Sequence, residues 1–276
     1  MQPFDFQPTG ILLSTEYPEF FYKYRGISNH GEFEKDYSID ALIKNKAIFS
    51  TRTNFNDLFD SKIELITPTP RQVKTLGDSL DKNRKAFFRS LINHGKFTDD
   101  GANYIERLKR ELNSLIDSYN FFCVSSRADS NLMWSHYGDC HRGFCIEFKA
   151  ANIRADKVIY QKTIPQVKVI ELMKVSAGVG NEALGGEIWT ALRTKLDEWA
   201  YEQEYRFQAG TDMPSPKGQK FIPRTYQPDW IESIIFGCKM PQSTRDKIVK
   251  LMPENTKFKM AVEKISTVEI VPYKRK

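Results

Sequence analysis

The sequence predicts an α+β fold with a mostly antiparallel β core and an inserted pair of helices. Three observations support this. Aromatic residues are frequent, at 13%, and flat rings suit the pleated core of a β-rich protein. Strand-like and helix-like segments follow one another in an order that is neither regularly alternating nor all-β. Between residues 70 and 119 the hydrophobic period becomes helical.

The composition fits a folded protein of ordinary kind. Among 276 residues, 40% are hydrophobic and 28% are charged, which excludes a largely disordered chain. We expect a single α+β catalytic domain over residues 1–276, with the helical insertion at about 70–118. There are 41 Lys and Arg against 35 Asp and Glu, a net charge of +6. This mild basic excess is compatible with a nucleic acid or a dinucleotide as partner.

The sequence also predicts a cytoplasmic protein with no membrane partner. No stretch approaches the 18 apolar residues that a membrane-spanning helix needs. The first five residues lack the basic start and apolar run of a signal peptide. The four cysteines are too few and too scattered for a secreted disulfide scaffold.

The first strand is predicted from an aromatic run over residues 20–25. Side chains alternate along a strand, so Tyr22 and Tyr24 should share one face, and Lys23 and Arg25 the other.

A brief helix, a second strand and the helical pair come next. Ser38 predicts the cap of a helix over residues 39–44, and residues 47–50 predict the second strand. Leucines, isoleucines and phenylalanines at three- and four-residue steps predict helices over residues 71–94 and 99–117.

The remainder is predicted to be rich in strands, with two further helices. The strands are expected over residues 120–125, 143–148, 157–160, 202–207, 231–237 and 268–271, and the helices over residues 130–137 and from about Glu182 to Tyr201.

The pair Glu202 and Glu204 is the most informative feature for function. On a strand, residues two apart share a face, so both carboxylates would point the same way. Like charges this close need a cation or a ligand to offset their repulsion. A solvent-facing edge strand and a strand lining a cleft both fit this pattern. In a cleft, one carboxylate could orient a ribose hydroxyl or stabilise a cationic transition state.

Two further segments carry candidate binding residues. The loop over residues 54–60 holds Asn54 and Asn56, and is either a structured turn anchored by Phe55 and Phe59 or a loop that presents amides to a ligand.

The turn of helix over residues 133–137 combines a large aromatic side chain, an imidazole and a phenol. Met133, Trp134 and Tyr137 are expected to pack the helix onto the sheet. His136 and Tyr137 could also reach a pocket, because each carries a polar tip on an aromatic body.

Some residues could form a metal site or a nucleic-acid-binding surface. A zinc site is disfavoured because the available ligands, His136, Cys140, His141 and Cys145, are poorly spaced. Glu147 and Lys149 resemble half of a magnesium-dependent nuclease site, which would need Asp129 or Asp139 to complete it. The helical insertion carries basic residues diluted by acidic ones, namely Lys82, Arg84, Lys85, Arg89, Lys96, Arg107, Lys109 and Arg110.

Taken in order, several of these segments resemble the bacterial domain-of-unknown-function 2971 family over about residues 20–240. The matching motifs are Tyr22-Lys23-Tyr24-Arg25, Phe49-Ser50, Asn54-Phe55-Asn56-Asp57, Phe59-Asp60, Leu132-Met133-Trp134-Ser135-His136-Tyr137, Gly143 with Glu147, and Trp199 with Glu202-Gln203-Glu204-Tyr205-Arg206. One departure is Leu58, where the family pattern has proline.

The first-strand arginine, second-strand serine and late Glu-x-Glu also resemble the Arg–Ser–Glu arrangement of ADP-ribosyltransferases. That resemblance implies a split antiparallel sheet that grips NAD⁺. It places Arg25 at the pyrophosphate or nicotinamide ribose and Ser50 on the nicotinamide side. Glu204 would hold the ribose 2′-hydroxyl and stabilise the oxocarbenium ion, while Glu202 would act on the acceptor. Phe49-Ser50-Thr51 departs from a full Ser-Thr-Ser motif.

The resulting expectation is an NAD-dependent mono-ADP-ribosyltransferase, a bacterial toxin or phage-defence effector that modifies RNA, DNA or protein and that an antitoxin could hold in check. NAD⁺ is its substrate, and no metal is required. The predicted site has Glu204 and Glu202 as catalytic residues and, for binding NAD⁺, Tyr24, Arg25, Ser50, Asn54, Asn56, His136 and Tyr137. The alternatives are a magnesium-dependent nuclease that uses Glu147 and Lys149, and a non-enzymatic binding module.

Overall fold

A computed structural model describes residues 17–28, 30–180, 183–208 and 221–274. The strands, in chain order, are β1 (Phe20–Arg25), β2 (Lys46–Thr51), β3 (Glu64–Ile66), β4 (Ile92–Asn93), β5 (Lys96–Phe97), β6 (Asn120–Ser125), β7 (Phe144–Lys149), β8 (Asp156–Lys157), β9 (Ile159–Gln161), β10 (Gln166–Lys168), β11 (Thr194–Leu196), β12 (Glu204–Gln208), β13 (Phe221–Thr225), β14 (Ile231–Phe236), β15 (Phe258–Glu263) and β16 (Val268–Pro272). The helices are α1 (Tyr37–Ile43), α2 (Pro70–Asp78), α3 (Lys82–Ser90), α4 (Asp99–Asp117), α5 (Asn131–Tyr137), α6 (Val169–Ser176), α7 (Ala183–Leu192) and α8 (Gln242–Leu251).

The chain divides into two compact units. The first unit comprises Met1–Thr51, Asn120–Val158 and Glu198–Lys276, and the second comprises Arg52–Tyr119 and Ile159–Asp197. Helices α2, α3 and α4 therefore all lie in the second unit.

The first unit is built around one large sheet. Its strands run in the order β13-β2-β6-β1-β7-β14-β15-β16, and β12 pairs with β6 and β8. All of these pairings are antiparallel except β14 with β15. Strand β6 pairs with β2 at Phe121 and with β1 at Ser125, so these two strands meet β6 near opposite ends. The predicted α+β class with a mostly antiparallel sheet is confirmed.

The two faces of this sheet differ in character. On one side, which we call the aromatic face, Phe21, Phe49, Phe122, Phe148 and Tyr205 pack into a single core. Helices α1 and α8 contribute to the same core. Burying a side chain of this size stabilises a fold by about 1.5–3 kcal/mol. The packing of this core therefore fixes the register of the sheet strands that carry these side chains.

The opposite side of the sheet, which we call the polar face, packs against α5. Trp134 of α5 is fully buried there beside Tyr24 and Cys145. Tyr22 packs against the same cluster, whereas Phe21 belongs to the aromatic core. The predicted alternation of side chains along β1 is therefore confirmed.

The second unit is mainly helical. Residues from α2, α3, α4 and α6 form its core, including Val73, Phe88, Ile105 and Met173. Its strands form short pairings, β3 with β10 and β9 with β11 in parallel and β4 with β5 as a hairpin.

The predicted helix over residues 71–94 is two helices, α2 and α3. The carboxylate of Asp81 accepts hydrogen bonds from the backbone N–H groups of Asn83 and Arg84, so it begins a new helix. A Cβ at Gly77 would lie 2.8 Å from the Cβ of Phe88, so the absence of a side chain there lets the two helices approach closely.

The cap predicted for the first helix is also wrong. Asp36, and not Ser38, caps α1: its Oδ1 accepts from the backbone N–H groups of Ser38 and Ile39 at 2.8 and 3.2 Å. Aspartate and serine both cap helices well, so sequence alone cannot choose between neighbouring candidates.

The helix predicted from Glu182 to Tyr201 is shorter. Residue 182 lies outside the described residues, and α7 ends at Leu192. The chain then forms β11, which pairs in parallel with β9, so tertiary pairing overrides the helical period of the leucines. Among the described residues, none of the helices is long and apolar enough to cross a membrane.

Candidate functional site

Polar side chains lie opposite one another across five neighbouring strands on the polar face. Glu204 pairs with Ser125, Ser125 with Tyr22, Tyr22 with Glu147, and Glu147 with Ser233. Directly opposed residues share a face and lie about 4.5–5.5 Å apart. We call these five residues the polar row. All except Tyr22 are buried, so the hydrogen-bond partner of each decides what the row can do.

Glu204 forms an ion pair with Arg206. The guanidinium donates from Nε to Oε1 at 2.8 Å and from Nη2 to Oε2 at 3.1 Å. The two residues are two apart on β12 and therefore share the polar face. Arg206 is fully buried, and 6% of Glu204 is exposed. Bidentate hydrogen bonding of this kind fixes the orientation of the carboxylate.

Glu202 is placed differently from the prediction. It is the last residue of a 3₁₀ helix, Asp197–Glu202, and Gln203 has a left-handed backbone with φ of 43°. The alternation of a strand therefore does not extend back to Glu202, and the strand predicted over residues 202–207 begins two residues later. The carboxylate of Glu202 is nevertheless buried, and its backbone carbonyl accepts from Ser125 Oγ at 2.6 Å.

Helix α5 supplies a partner for Glu202. The Tyr137 hydroxyl donates to Glu202 Oε1 at 2.6 Å. The neighbouring His136 is exposed, and its Nδ1 lies 2.8 Å from the Tyr201 hydroxyl. Ser130 caps the helix by accepting from the backbone N–H of Met133. The predicted binding residues His136 and Tyr137 therefore both contact the segment that contains Glu202.

The tyrosines of β1 are held in two ways. The Tyr22 hydroxyl donates to Glu147 Oε1 at 3.2 Å, and burial together with this carboxylate raises the pKa of Tyr22. The Tyr24 hydroxyl donates to the carbonyl of Arg127 at 2.7 Å, and its ring meets Trp134 edge-on at 5.0 Å. Burial raises the pKa of Tyr24 as well. Tyr24 thus anchors α5 to the sheet.

Arg25 is not brought to Glu204. It alternates with Tyr24 on β1 and so faces the aromatic side of the sheet. Its guanidinium lies 4.9 Å from the ring centroid of Tyr37.

Ser50 lies apart from Glu204 in the strand register. It is opposite Phe121, four residues and about 13 Å along β6 from Ser125. The serine opposite Glu204 is therefore Ser125, which the sequence reasoning missed. A polar residue at the end of a strongly apolar predicted strand is the sequence feature that could have identified Ser125 as a site residue.

Asn54 and Asn56 belong to the second unit. Asn54 ends a 3₁₀ helix that starts at Arg52, whose guanidinium donates to Asp117 at 2.7 Å and to the carbonyl of Ser61 at 2.9 Å. These bonds fit the interpretation of the loop as a structured turn.

The anchor predicted at Phe59 is wrong, because 43% of this residue is exposed. Its backbone N–H instead donates to Asp57 Oδ1, which closes the turn locally. Leu58, at the position where the family pattern has proline, is 85% exposed.

Residues 133–207 match a family model described as a protein of unknown function (DUF2971). The segment similar to DUF2971 begins in α5 and ends in β12, so it contains Tyr137, Glu202 and Glu204. The predicted resemblance to DUF2971 is confirmed for this part of the chain. No curated protein and no solved structure matches the sequence.

The DUF2971-like segment also contains Glu147, the residue of the nuclease alternative. Its carboxylate accepts from Lys259 Nζ at 2.7 and 2.9 Å, from Ser233 Oγ and from Tyr22. These donors are what a buried carboxylate needs for its own stability. In the described part of the chain, no group of three or more His, Cys, Asp or Glu side chains is arranged to hold a metal ion.

The basic residues of α3 and α4 are largely paired within the second unit. Asp78 interacts with both Lys85 and Arg89, and the hydrogen bond from Lys85 is the main reason that the pKa of Asp78 is lowered. Further pairs are Arg84 with Asp81, Arg107 with Glu111, and Lys109 with Glu106. Exposed pairs of this kind add little stability, but they neutralise much of the charge that would attract a nucleic acid.

Proposed function

We propose that the polar face of the first unit binds NAD⁺ and that the protein is an NAD-dependent ADP-ribosyltransferase. The observation that carries this proposal is the presence of two buried carboxylates, Glu202 and Glu204, within three residues. Each is linked to Ser125, Glu202 through its backbone carbonyl and Glu204 through strand register. Buried carboxylates this close are uncommon unless the site uses their charge.

Glu204 is the carboxylate that we assign to the nicotinamide ribose. When nicotinamide leaves, positive charge develops on the ribose ring, and a fixed carboxylate stabilises that charge more in the transition state than in the ground state. Arg206 holds Glu204 through two hydrogen bonds, so little reorganisation is needed during the reaction. Ser125 lies next to Glu204 in the polar row and Tyr22 lies next to Ser125, and both would contact the same ribose and its nicotinamide.

Glu202 is the carboxylate that we assign to the acceptor. In the transfer step the bond between the ribose C1′ and nicotinamide breaks, and nicotinamide leaves neutral with both electrons. A lone pair of the acceptor oxygen or nitrogen forms the new bond to C1′, and the acceptor proton passes to Glu202. The hydrogen bond from Tyr137 orients this carboxylate. The acceptor is a hydroxyl or amine of RNA, DNA or protein.

The test is the Glu202→Gln variant, assayed for NAD⁺ hydrolysis and for transfer of labelled ADP-ribose. Glutamine can still accept the hydrogen bond from Tyr137, so the fold should be kept. We expect transfer to fall about 10²–10⁴-fold, as for loss of a general base, while NAD⁺ hydrolysis is largely retained. Glu198→Gln is the matched control, because Glu198 is exposed in the same 3₁₀ helix.

Two outcomes would contradict the proposal. One is a folded Glu202→Gln protein that keeps full transfer. The other is an activity that disappears with EDTA and returns with Mg²⁺, because the transferase chemistry needs no divalent ion whereas the nuclease alternative does.

A further inference from the structure

The two carboxylates of the proposed site are joined by a single residue, Gln203, whose backbone is left-handed with φ of 43°. A residue that carries a side chain adopts this conformation uncommonly, and the conformation persists only where the surrounding structure holds it. Gln203 is exposed, so packing of its side chain in the core does not hold it. The explanation therefore lies in the hydrogen bonds of the neighbouring backbone.

Hydrogen bonds on both sides of Gln203 hold its backbone in place. Its N–H donates to the carbonyl of Ala200 at 3.2 Å, and its carbonyl accepts from the N–H of Ser126 at 3.1 Å. The carbonyl of the preceding residue, Glu202, accepts from Ser125 Oγ at 2.6 Å. Ser125 is buried, so water does not compete for this bond. Together these bonds fix the turn that separates Glu202 from β12.

The turn directs the two carboxylates to different partners. Glu204 lies on β12, where Arg206 holds its carboxylate through Nε and Nη2. Glu202 lies before the turn, where the Tyr137 hydroxyl of α5 donates to its Oε1 at 2.6 Å. If φ of Gln203 became negative, the Glu202 peptide would rotate about the N–Cα bond of Gln203 relative to β12. The carboxylate of Glu202 would then move away from Tyr137, whereas Glu204 would stay in register.

We propose that Gln203 is a positioning residue, whose left-handed backbone directs Glu202 to the acceptor and so decides whether ADP-ribose passes to the acceptor or to water. This inference rests on the proposed function, in which Glu204 serves the breaking of the bond at C1′ and Glu202 serves only the acceptor. A shift of about 1 Å in a reacting group can cost about 10²-fold in rate. Loss of the turn should therefore slow transfer and spare NAD⁺ hydrolysis.

The experiment compares Gln203→Gly with Gln203→Val in the full chain, with the ratio of ADP-ribose transfer to NAD⁺ hydrolysis as the readout. Both variants remove the side-chain oxygen that accepts from Ser126 Oγ at 3.2 Å, so the pair isolates the backbone preference. Glycine adopts a positive φ readily, whereas a β-branched residue strongly disfavours it. We expect the wild-type ratio for Gln203→Gly and a ratio about tenfold lower or less for Gln203→Val.

Two further variants separate positioning from stability. A purely structural role for Gln203 would not change the ratio, because unfolding removes both activities equally. Gln203→Val combined with Glu202→Gln should have the ratio of Glu202→Gln alone, because Gln203 acts through that carboxylate. If Gln203→Val does not fold, Gln203→Thr provides the same test, because threonine is β-branched and its hydroxyl suits this exposed position.

The inference is overturned if Gln203→Val keeps the wild-type ratio, if Gln203→Gly loses as much as Gln203→Val, or if the double variant falls below Glu202→Gln. In each of these cases the wild-type protein is active, so the proposed function stands. A wild-type protein that neither hydrolyses NAD⁺ nor transfers ADP-ribose overturns the proposed function itself, and the inference with it.

Discussion

The polar face and the aromatic face of the sheet in the first unit differ in how their buried polar groups are hydrogen-bonded. On the polar face, Glu202, Glu204 and Glu147 each accept at least one bond from a neighbouring side chain. On the aromatic face, Nη2 of Arg25 and the hydroxyl of Tyr226 have no acceptor within the described ranges. The three carboxylates of the polar face are therefore hydrogen-bonded within the protein, whereas these two donors of the aromatic face are not. This difference indicates where substitution should destabilise the fold and where it should not.

The largest effect is expected at Glu204. Glu204→Gln removes the carboxylate charge to which the fully buried Arg206 donates through Nε and Nη2, and removing one partner of a buried ion pair destabilises by about 3–5 kcal/mol. Urea denaturation measures the change in the free energy of unfolding. For this reason Glu202→Gln is a cleaner test of catalysis than Glu204→Gln, although both residues are assigned roles.

A double variant sharpens the same point. Glu204→Gln combined with Arg206→Met removes both charges and should recover most of the stability lost in the single variant. If Glu204→Gln alone unfolds at the wild-type urea concentration, the ion pair contributes nothing to the free energy of unfolding. The hydrogen bonding of this carboxylate would then not stabilise the polar face.

Local parts of this fold could be predicted from the sequence, and the polar face shows why the site could not. The alternation of Tyr22 and Tyr24 with their neighbours follows from strand geometry alone and is confirmed. The same rule fails for Glu202 because Gln203 turns into the left-handed region, which a residue of this type adopts uncommonly. A single backbone angle thus separates the two carboxylates into different elements.

The choice between Ser50 and Ser125 needed long-range information. Both serines lie on strands that the sequence predicts correctly, over residues 47–50 and 120–125. Which of them faces Glu204 depends on how β12 pairs with β6, and that register is set by the aromatic core on the other side of the sheet. Patterns within one strand do not contain this pairing.

A smaller effect is expected at Tyr24. Tyr24→Phe removes the hydroxyl that donates to the carbonyl of Arg127 at 2.7 Å and leaves this carbonyl without that donor. We expect a loss of about 1 kcal/mol in the free energy of unfolding, measured by urea denaturation. An unchanged stability would mean that hydrogen bonds on the polar face matter less than the packing of Tyr24 on Trp134.

The smallest effect is expected at Tyr226, and its sign is opposite. Tyr226→Phe removes a buried hydroxyl that has no acceptor in the described part of the chain, while the ring keeps its contacts with Phe148 and Trp230. In the unfolded protein water hydrogen-bonds to this hydroxyl, and folding breaks those bonds without replacing them. The variant should therefore gain about 1 kcal/mol in the free energy of unfolding.

Thermal unfolding of this variant and of Tyr24→Phe, side by side, compares one tyrosine hydroxyl from each face. The expected shifts have opposite directions. A loss of stability on Tyr226→Phe equal to that of Tyr24→Phe would mean that the Tyr226 hydroxyl is already satisfied within the protein, and the two faces would then be alike.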